Sequence, residues 1–162
     1  MGEHGNDPRF AALYGLMVVE ARITERLDAA LEASAGISLS RLELLLHLHW
    51  KDGRRRMSDL ADALLLSRGG ATRLVAKAEE EGLVRREIPP DDRRATYAVL
   101  TDAGREAAER GFPIYTELQN RLFQEHVTDD EAELLVHIWN RVLDGNGMAC
   151  EPISAAAAEL TG

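Results

Sequence analysis

The chain has 162 residues, of which 45% are hydrophobic and 29% are charged, and its formal net charge is −9. This length and apolar content suffice for one domain with a sizeable hydrophobic core. The single cysteine, Cys150, excludes a disulfide within the chain and a cysteine-based zinc site. No apolar run approaches the length that spans a membrane, and the N-terminus lacks a signal-peptide pattern. The sequence therefore predicts a cytoplasmic protein without membrane contact.

The charge is unevenly distributed along the chain. Between Arg54 and Arg94 there are ten Lys/Arg and eight Asp/Glu, whereas the remaining chain holds nine basic and twenty acidic residues. Phosphate contact depends on local charge, so an acidic protein with a segregated basic segment can still bind DNA. The net charge is consequently weak evidence for or against nucleic-acid binding.

Two helices are predicted in the first third of the chain. The first runs from Pro8 to about Ala33 and is apolar on two faces, both of which must be buried. A partner subunit is the economical cover for the second face, and a central helix in a monomer is the alternative. Gly36 breaks this helix, and Ser38 or Ser40 begins the next. One face of the second helix carries Leu42, Leu45, Leu46, His49 and Trp50.

The middle of the chain combines helix and strand signals. Ser58 can cap a short helix, and Ser67 can cap a second one, because its hydroxyl can accept a hydrogen bond from a free backbone N–H of the next turn. Gly82 can take the left-handed conformation that ends the second helix. Residues 83–88 and 95–101 are predicted strands, joined by a turn with a basic tip at 89–94. Helix, helix, strand, charged turn, strand is the order of a winged helix-turn-helix. The preceding arginines, at 54–56, can contact a DNA backbone or only solvate a loop.

Two further helices are predicted after the second strand. Thr101 caps a long one, and Pro113 removes a hydrogen bond inside it, so we expect a kink near Phe112. Thr128 and Glu131 have the spacing of a capping box that opens the last helix.

The run from Leu60 to Glu106 resembles the winged helix of the MarR family of bacterial transcription regulators. The marks of the family are the LA pair at 60–61, TRLV at 72–75, EGLV at 81–84, DRR at 92–94 and LT-x-x-G at 100–104. Together, in this order and spacing, they are more specific than any one of them. The sequence departs from the family at two points. Leu65 stands where a turn glycine is frequent, and Gly69 and Gly70 open the recognition helix, where better helix formers are usual.

The resemblance implies a mainly α fold in a single domain over 1–162. It would comprise a winged helix-turn-helix lobe with a small β-wing at 38–104, helices at 8–34 and 113–145 that form an intertwined dimerisation region, and a tail at 146–162. The implied function is that of a ligand-responsive repressor that binds a pseudo-palindromic operator as a homodimer. Alternatives are a zinc-responsive regulator of the same fold and a winged helix used only for protein interaction. The predicted dimerisation residues are Phe10, Leu13, Leu118, Leu122, Leu134, Leu135 and Ile138.

The predicted DNA-contacting residues are Ser67, Arg68, Gly70, Thr72, Arg73, Lys77, Arg93 and Arg94. Arg73 can pair bidentately with guanine, and Thr72 can contact a phosphate or a thymine methyl. An exposed helix face with an Arg–Glu pair is the alternative. Arg93 and Arg94, at the wing tip, suit a narrow minor groove. By resemblance, Asp92 would hold one of these arginines or a recognition-helix arginine, and ordinary turn chemistry is its alternative role.

The resemblance also implies a small-molecule effector, of unknown identity, bound between the dimer helices and the DNA-binding lobe. The candidate lining residues are Tyr14, Met17, Arg22, His49 and Trp50, each equally explained by core or interface packing. No cofactor and no metal are predicted. Glu133 and His137 are spaced to chelate an ion, with His126 as a third ligand, but such residues are more often ordinary surface residues. No catalytic constellation is present, so the sequence does not predict an enzyme.

Overall fold

The computed structural model describes residues 7–92 and 94–148. As predicted, this part is mainly helical, with one small antiparallel sheet. The elements are α1 (Pro8–Ala35), α2 (Leu39–His49), β1 (Arg54–Arg56), α3 (Met57–Ala63), α4 (Arg68–Glu80), β2 (Val84–Glu87), β3 (Tyr97–Leu100), α5 (Asp102–Leu122) and α6 (Asp129–Gly145). The strand order is β1-β3-β2. Arg93, Cys150 and most of the predicted tail lie outside the described residues. Within them, no helix has the length and hydropathy needed to cross a membrane.

The predicted helix ends are confirmed where they depend on local hydrogen bonds. The Ser67 hydroxyl accepts from the backbone N–H of Gly70 at 3.1 Å and opens α4. Gly82 has a φ of 75°, and the next backbone N–H, that of Leu83, donates to the carbonyl of Ala78 at 2.9 Å. This is the left-handed ending in which free carbonyls of the last turn are satisfied. The capping box at the start of α6 is likewise present, with the Thr128 side chain accepting from the Glu131 N–H.

Two local predictions are wrong. Ser58 does not cap α3; that helix begins at Met57, and the Ser58 hydroxyl donates to Asp59. The segment Arg54–Arg56 is not a loop but β1, which pairs with β3 in the register Arg54↔Val99 and Arg56↔Tyr97. Three successive arginines lack the apolar–polar alternation that predicts a strand. The strand forms because β3, 41 residues or more away in sequence, supplies its hydrogen-bonding partner.

The core is centred on α2. This helix buries more of its circumference than the predicted single face, since Leu44 and Leu48 are fully buried as well, while His49 and Trp50 are only half-buried. It packs against the second half of α1, against α4 and against α5. The buried leucines of α2 are Leu39, Leu42, Leu44, Leu45, Leu46 and Leu48. Through these contacts α2 connects the long helices to the winged lobe.

Large apolar surfaces remain exposed on α1 and α6. In the N-terminal half of α1, Phe10, Leu13 and Met17 are 57%, 59% and 62% exposed. No residue of α6 is buried. α5 continues through Pro113 to Leu122, and the Thr116 hydroxyl donates to the carbonyls of Phe112 and Pro113 at 3.1 Å each. α5 thus continues past the proline, and the kink expected near Phe112 stays a prediction.

Candidate nucleic-acid interface

Helix α4 presents a polar face to solvent because its apolar face is fixed in the lobe. Ala71, Val75 and Ala78 are fully buried, at the three- and four-residue spacing of one helical face. The opposite face carries Thr72, Arg73 and Lys77, all exposed. The Thr72 hydroxyl donates to the carbonyl of Arg68 at 2.7 Å, one turn back.

Four of the five arginines of the sheet are paired with acids, whereas Arg55 Nη1 lies 3.4 Å from His47 Nδ1. Arg54 contacts Glu87 at 3.2 Å, Arg85 contacts the same carboxylate, and Arg86 Nε donates to Glu79 at 2.7 Å. The arginine partners hold the pKa of Glu79 and the pKa of Glu87 below the usual range. These arginines serve to fasten β2 to α4 and β1.

The cations of α4 and the wing are not neutralised in this way. Among the described residues, Arg68, Arg73, Lys77 and Arg94 form no ion pair, and all four are exposed. An unpaired, exposed guanidinium keeps its full charge and its five donors for an external anion. The lobe therefore concentrates its free positive charge on α4 and the wing.

A cleft of about 340 Å³ joins these two elements. It is lined by Arg56, Met57, Ser58, Arg68, Thr72, Arg94, Ala95 and Thr96. Three arginines from β1, α4 and the wing thus surround one open space together with hydroxyls. Charged fork-shaped donors and hydroxyls in this arrangement suit a phosphodiester group. For Arg56, contact with a DNA backbone was one of two alternatives left open by the sequence, whereas Ser58 was not a predicted contact residue.

Asp92 is bonded to β1 and to the backbone of its own turn. Its Oδ2 contacts Arg56 Nη2 at 2.9 Å, and its Oδ1 accepts from the backbone N–H of Arg94 at 3.0 Å. The second bond is the turn chemistry weighed above, and the first anchors the base of the wing to the edge strand. The predicted wing residue Arg93 lies outside the described residues.

The turn before α4 is made by a residue that is poorly suited to it. Leu65 has a φ of 53° and is 89% exposed. A side chain in the left-handed region costs about 1–2 kcal/mol, which glycine avoids. The following glycines differ in surroundings. A Cβ on Gly70 would meet the Ser67 hydroxyl at 3.3 Å, whereas one on Gly69 would meet only Arg73 Nη1, at 3.9 Å.

A second cavity, of about 210 Å³, lies between α2, the end of α3 and α5. Its walls are Glu43, Leu46, His47, Trp50, Ala63, Leu64, Leu65 and Tyr115. The Trp50 ring packs edge-on against those of His47 and Phe112, with centroids 6.4 and 5.9 Å apart. Burial raises the pKa of the Glu43 carboxyl, and burial together with the Glu43 charge raises the pKa of Tyr115. We name this cavity the aromatic groove.

The predicted effector residues are only partly brought together. Trp50 lines the aromatic groove and, with His49, an adjoining hollow of about 100 Å³. His49 Nδ1 lies 3.3 Å from Arg105 Nη1. Tyr14, Met17 and Arg22 lie exposed on α1 and line neither cavity; Arg22 pairs with Glu25 at 2.9 Å. Glu43 and Tyr115 were missed because 72 positions separate them.

The histidines considered for metal binding lie on the surface. His126, Glu133 and His137 are all exposed. In the described part of the chain, no three His, Cys, Asp or Glu residues are placed to hold a metal ion.

Comparisons with known proteins agree on one family. Residues 35–95 match the model of the MarR family. Over 92 residues the chain is 33% identical to the HTH-type transcriptional regulator YkoM of Bacillus subtilis, covering 57% of this chain and 60% of YkoM. The chain thus spans about three fifths of the length of that curated relative.

Solved structures extend the likeness to the long helices. AbsC, a MarR family transcriptional regulator from Streptomyces coelicolor, is similar with a TM-score of 0.83 and 26% identity, covering 91% of this chain and 100% of AbsC. Sco3205, from the same organism and solved in complex with DNA, has a TM-score of 0.77 and 28% identity, covering 83% of this chain and 88% of Sco3205. The matched family segment contains α2, β1, α3, α4 and β2, which form most of the lobe. The chain belongs to the MarR family of transcriptional regulators.

Proposed function

We propose that this protein is a regulator that binds double-stranded DNA through α4, the cleft and the wing. The observation that carries the proposal is the distribution of free cations in the lobe. Arg54, Arg85 and Arg86 of the sheet are neutralised by Glu87 or Glu79. The arginines of α4 and Arg94 of the wing are exposed without an acidic partner among the described residues. The similar protein Sco3205 is solved in complex with DNA.

The exposed residues of α4 and of the cleft would make two kinds of contact with DNA. Arg73 and Thr72 stand at the middle of the helix and would contact base edges in the major groove. Arg68 and Arg94, together with Arg56 and Ser58 in the cleft, would hold backbone phosphates, which position the protein without reading sequence. Lys77 would hold a phosphate further along the helix. The N-terminus of α4, with Ser67 and Gly70, would approach the backbone closely.

A homodimer would cover the exposed apolar surfaces. The N-terminal half of α1 and the whole of α6 leave apolar side chains exposed to solvent. Apolar helix surfaces of this kind are expected to be covered in the assembled protein. We therefore assign dimerisation to the helices at 8–34 and 113–145. Of the predicted interface residues, Phe10, Leu13 and Leu134 are exposed in the single chain, and Leu118 also packs against the core. Two recognition helices would then read half-sites one helical turn apart.

The effector would bind in the aromatic groove. The groove contacts both α5, which leads to the proposed dimerisation region, and the turn that precedes α4. A flat aromatic compound with a hydrogen-bond donor would pack on Trp50 and reach the Glu43 carboxylate. If the compound binds one spacing of the recognition helices more tightly than another, its binding changes the affinity of the dimer for DNA. Release of a repressor from its operator follows from this difference in ligand affinity alone.

The first test is fluorescence anisotropy with duplex DNA from upstream of the protein's own gene, at two salt concentrations. Arg73→Ala should weaken binding by about 5- to 100-fold and relax base preference at one position. Arg94→Ala should weaken binding to all sequences and reduce the salt slope by about 2, because each subunit of the dimer loses one phosphate contact. Arg110→Ala removes an exposed cation from α5, outside the proposed dimerisation helices, and serves as the matched control.

Each alternative predicts a different result. If the winged helix serves only protein interaction, the wild type shows no steep salt slope, and Arg73→Ala binds as the wild type does. A zinc-responsive regulator would lose DNA affinity on treatment with a chelator, and Glu133→Ala would lower its DNA affinity in the same way. For the effector, Glu43→Gln should alter ligand response while leaving DNA affinity without ligand unchanged.

A further inference from the structure

Arg41, in the first turn of α2, joins the ends of two other helices. Its Nη2 contacts Glu81 Oε1 at 2.8 Å, immediately after the end of α4. Its Nη1 donates to the Ser38 hydroxyl at 3.1 Å and lies 3.9 Å from Glu32 Oε1, in the last turn of α1. Only 13% of the Arg41 side chain is exposed. One guanidinium therefore bridges α1, α2 and the C-terminal end of the recognition helix.

Stability alone is a poor explanation of this arrangement. Arg41 Nε is buried without a hydrogen-bond partner, which costs part of what the ion pair contributes. Buried ion pairs often contribute no more than apolar residues of similar volume, and they are kept in some proteins because they fix one geometry. The pair Arg22–Glu25 on α1 is a useful contrast, because both side chains are well exposed and such pairs contribute little.

The joint to which Arg41 ties α4 is itself fixed. The backbone N–H of Leu39, the first residue of α2, donates to Asp28 of α1 at 2.7 Å. The α1–α2 joint is thus held by Asp28, and the end of α4 is held to that joint by Glu81. The start of α4, by contrast, contains Gly69 and Gly70 and follows the left-handed turn at Leu65. The C-terminal end is the better-anchored end of the recognition helix.

We propose that Arg41 is a positioning residue: it fixes the angle of α4 against α1 and thereby sets the spacing of the two recognition helices in the dimer. The first half of this inference concerns one chain only. The second half rests on the proposed function, because it assumes a DNA-binding dimer held together through α1. A loss of the Arg41 contact should let α4 sample more orientations, so that operators with a wrong half-site spacing are rejected less strongly.

The angle can be measured without DNA. Spin labels on Arg26→Cys and Lys77→Cys, in a Cys150→Ser background, report the distance from α1 to α4 by double electron–electron resonance. Both labelled positions are exposed and form no ion pair among the described residues. Dilution with unlabelled protein restricts the signal to distances within one chain. We expect a narrow distribution for the wild type and a broad one for Arg41→Met and for Glu81→Gln.

The controls separate positioning from loss of fold. Arg22→Met removes an exposed pair on α1 and should leave the distribution narrow. Glu81→Gln keeps the size of the side chain, so it tests the contact even if Arg41→Met does not fold. The combined variant should broaden the distribution no further than either single change, as residues of one network do. A wild-type distribution in folded Arg41→Met, or in Glu81→Gln, would overturn the inference.

The functional half uses an operator selected from random duplex DNA by the wild-type protein, and the same operator with its half-sites moved one base pair apart. Arg41→Met should reduce the preference for the selected spacing by about tenfold, within the range of coupling in one network. An unchanged preference would refute the link to spacing. If the wild type selects no DNA, the proposed function fails, and the distance measurement still decides whether Arg41 holds α4.

Discussion

Replacing Gly104 by alanine should destabilise the protein severely, because the start of α5 lies against Leu83, the residue immediately before β2. An alanine Cβ at this position would overlap the carbonyl oxygen of Leu83 and would lie 3.0 Å from its carbonyl carbon and 2.8 Å from Leu100 Cδ1. The same oxygen accepts hydrogen bonds from the Thr101 hydroxyl at 2.8 Å and the Thr101 N–H at 3.1 Å. Neither the strand nor the helix can therefore move without breaking these bonds.

The magnitude follows from the distances. Non-bonded carbons prefer separations of about 3.5–4.0 Å, so α5 must move away by roughly 0.5–1 Å. Overpacking of this kind costs about 1–3 kcal/mol. Loss of the Thr101 cap adds about 1 kcal/mol, and the better helix propensity of alanine returns a similar amount. The expected loss is about 1–3 kcal/mol in the free energy of unfolding, a large fraction of the stability of a domain.

Urea denaturation followed by circular dichroism measures this loss. Gly145→Ala is the matched control, because a Cβ there meets nothing within 4 Å. Gly111→Ala should give an intermediate result, since its Cβ would lie 2.8 Å from Leu42 Cδ1, which is the end of a side chain and not backbone. A Gly104→Ala variant within about 0.5 kcal/mol of the wild type, the range of ordinary surface changes, would refute the reasoning.

Three further changes test single features of the lobe. Leu65→Gly should stabilise the protein by about 0.5–1 kcal/mol in the same assay, because relief of the left-handed strain exceeds the added chain entropy; a loss would show that the strain is absent. Gly69→Ala should slow hydrogen exchange across α4, because alanine has a higher helix propensity than glycine and its Cβ would meet only Arg73 Nη1, at 3.9 Å. Faster exchange would contradict this. Because burial raises the pKa of Glu43, the folded state binds a proton more strongly than the unfolded one. Stability should therefore rise as pH falls from neutral through that pKa, and Glu43→Gln should abolish the rise.

The features predicted from sequence are those with short-range causes. Ser67, Thr101 and Thr128 each bond a backbone N–H three residues on, so their caps depend only on the adjacent turn. The ending of α4 at Gly82 is equally local. The failure at Ser58 has a local cause too. β1 runs directly into α3, so the extended Arg56 precedes the first turn and the serine falls inside the helix.

The features that escaped prediction join residues distant in sequence. β1 exists because β3 pairs with it, and the aromatic groove exists because α5 brings Tyr115 to Glu43. Arg41 and Glu81 are 40 positions apart, and each is unremarkable in its own segment. Identifying these contacts needs the packing of α2 against α1, α4 and α5, which periodicity does not supply. The recognition residues could be assigned because the resemblance placed them, not because the charge pattern did.

The pairing of cations also limits how steeply DNA binding can depend on salt. Of the described basic residues on α4 and the wing, Arg68, Lys77 and Arg94 are free to hold phosphates, while Arg73 is proposed to contact a base. Arg56 can join them only by giving up Asp92. Three or four phosphate contacts per subunit give a dimer a slope of about −5 to −7 in log affinity against log salt concentration. Asp92→Asn, which frees Arg56, should raise non-specific affinity and steepen the slope by up to about 2. Titrations at several salt concentrations decide this, and a slope unchanged by Asp92→Asn would mean that Arg56 does not reach the DNA.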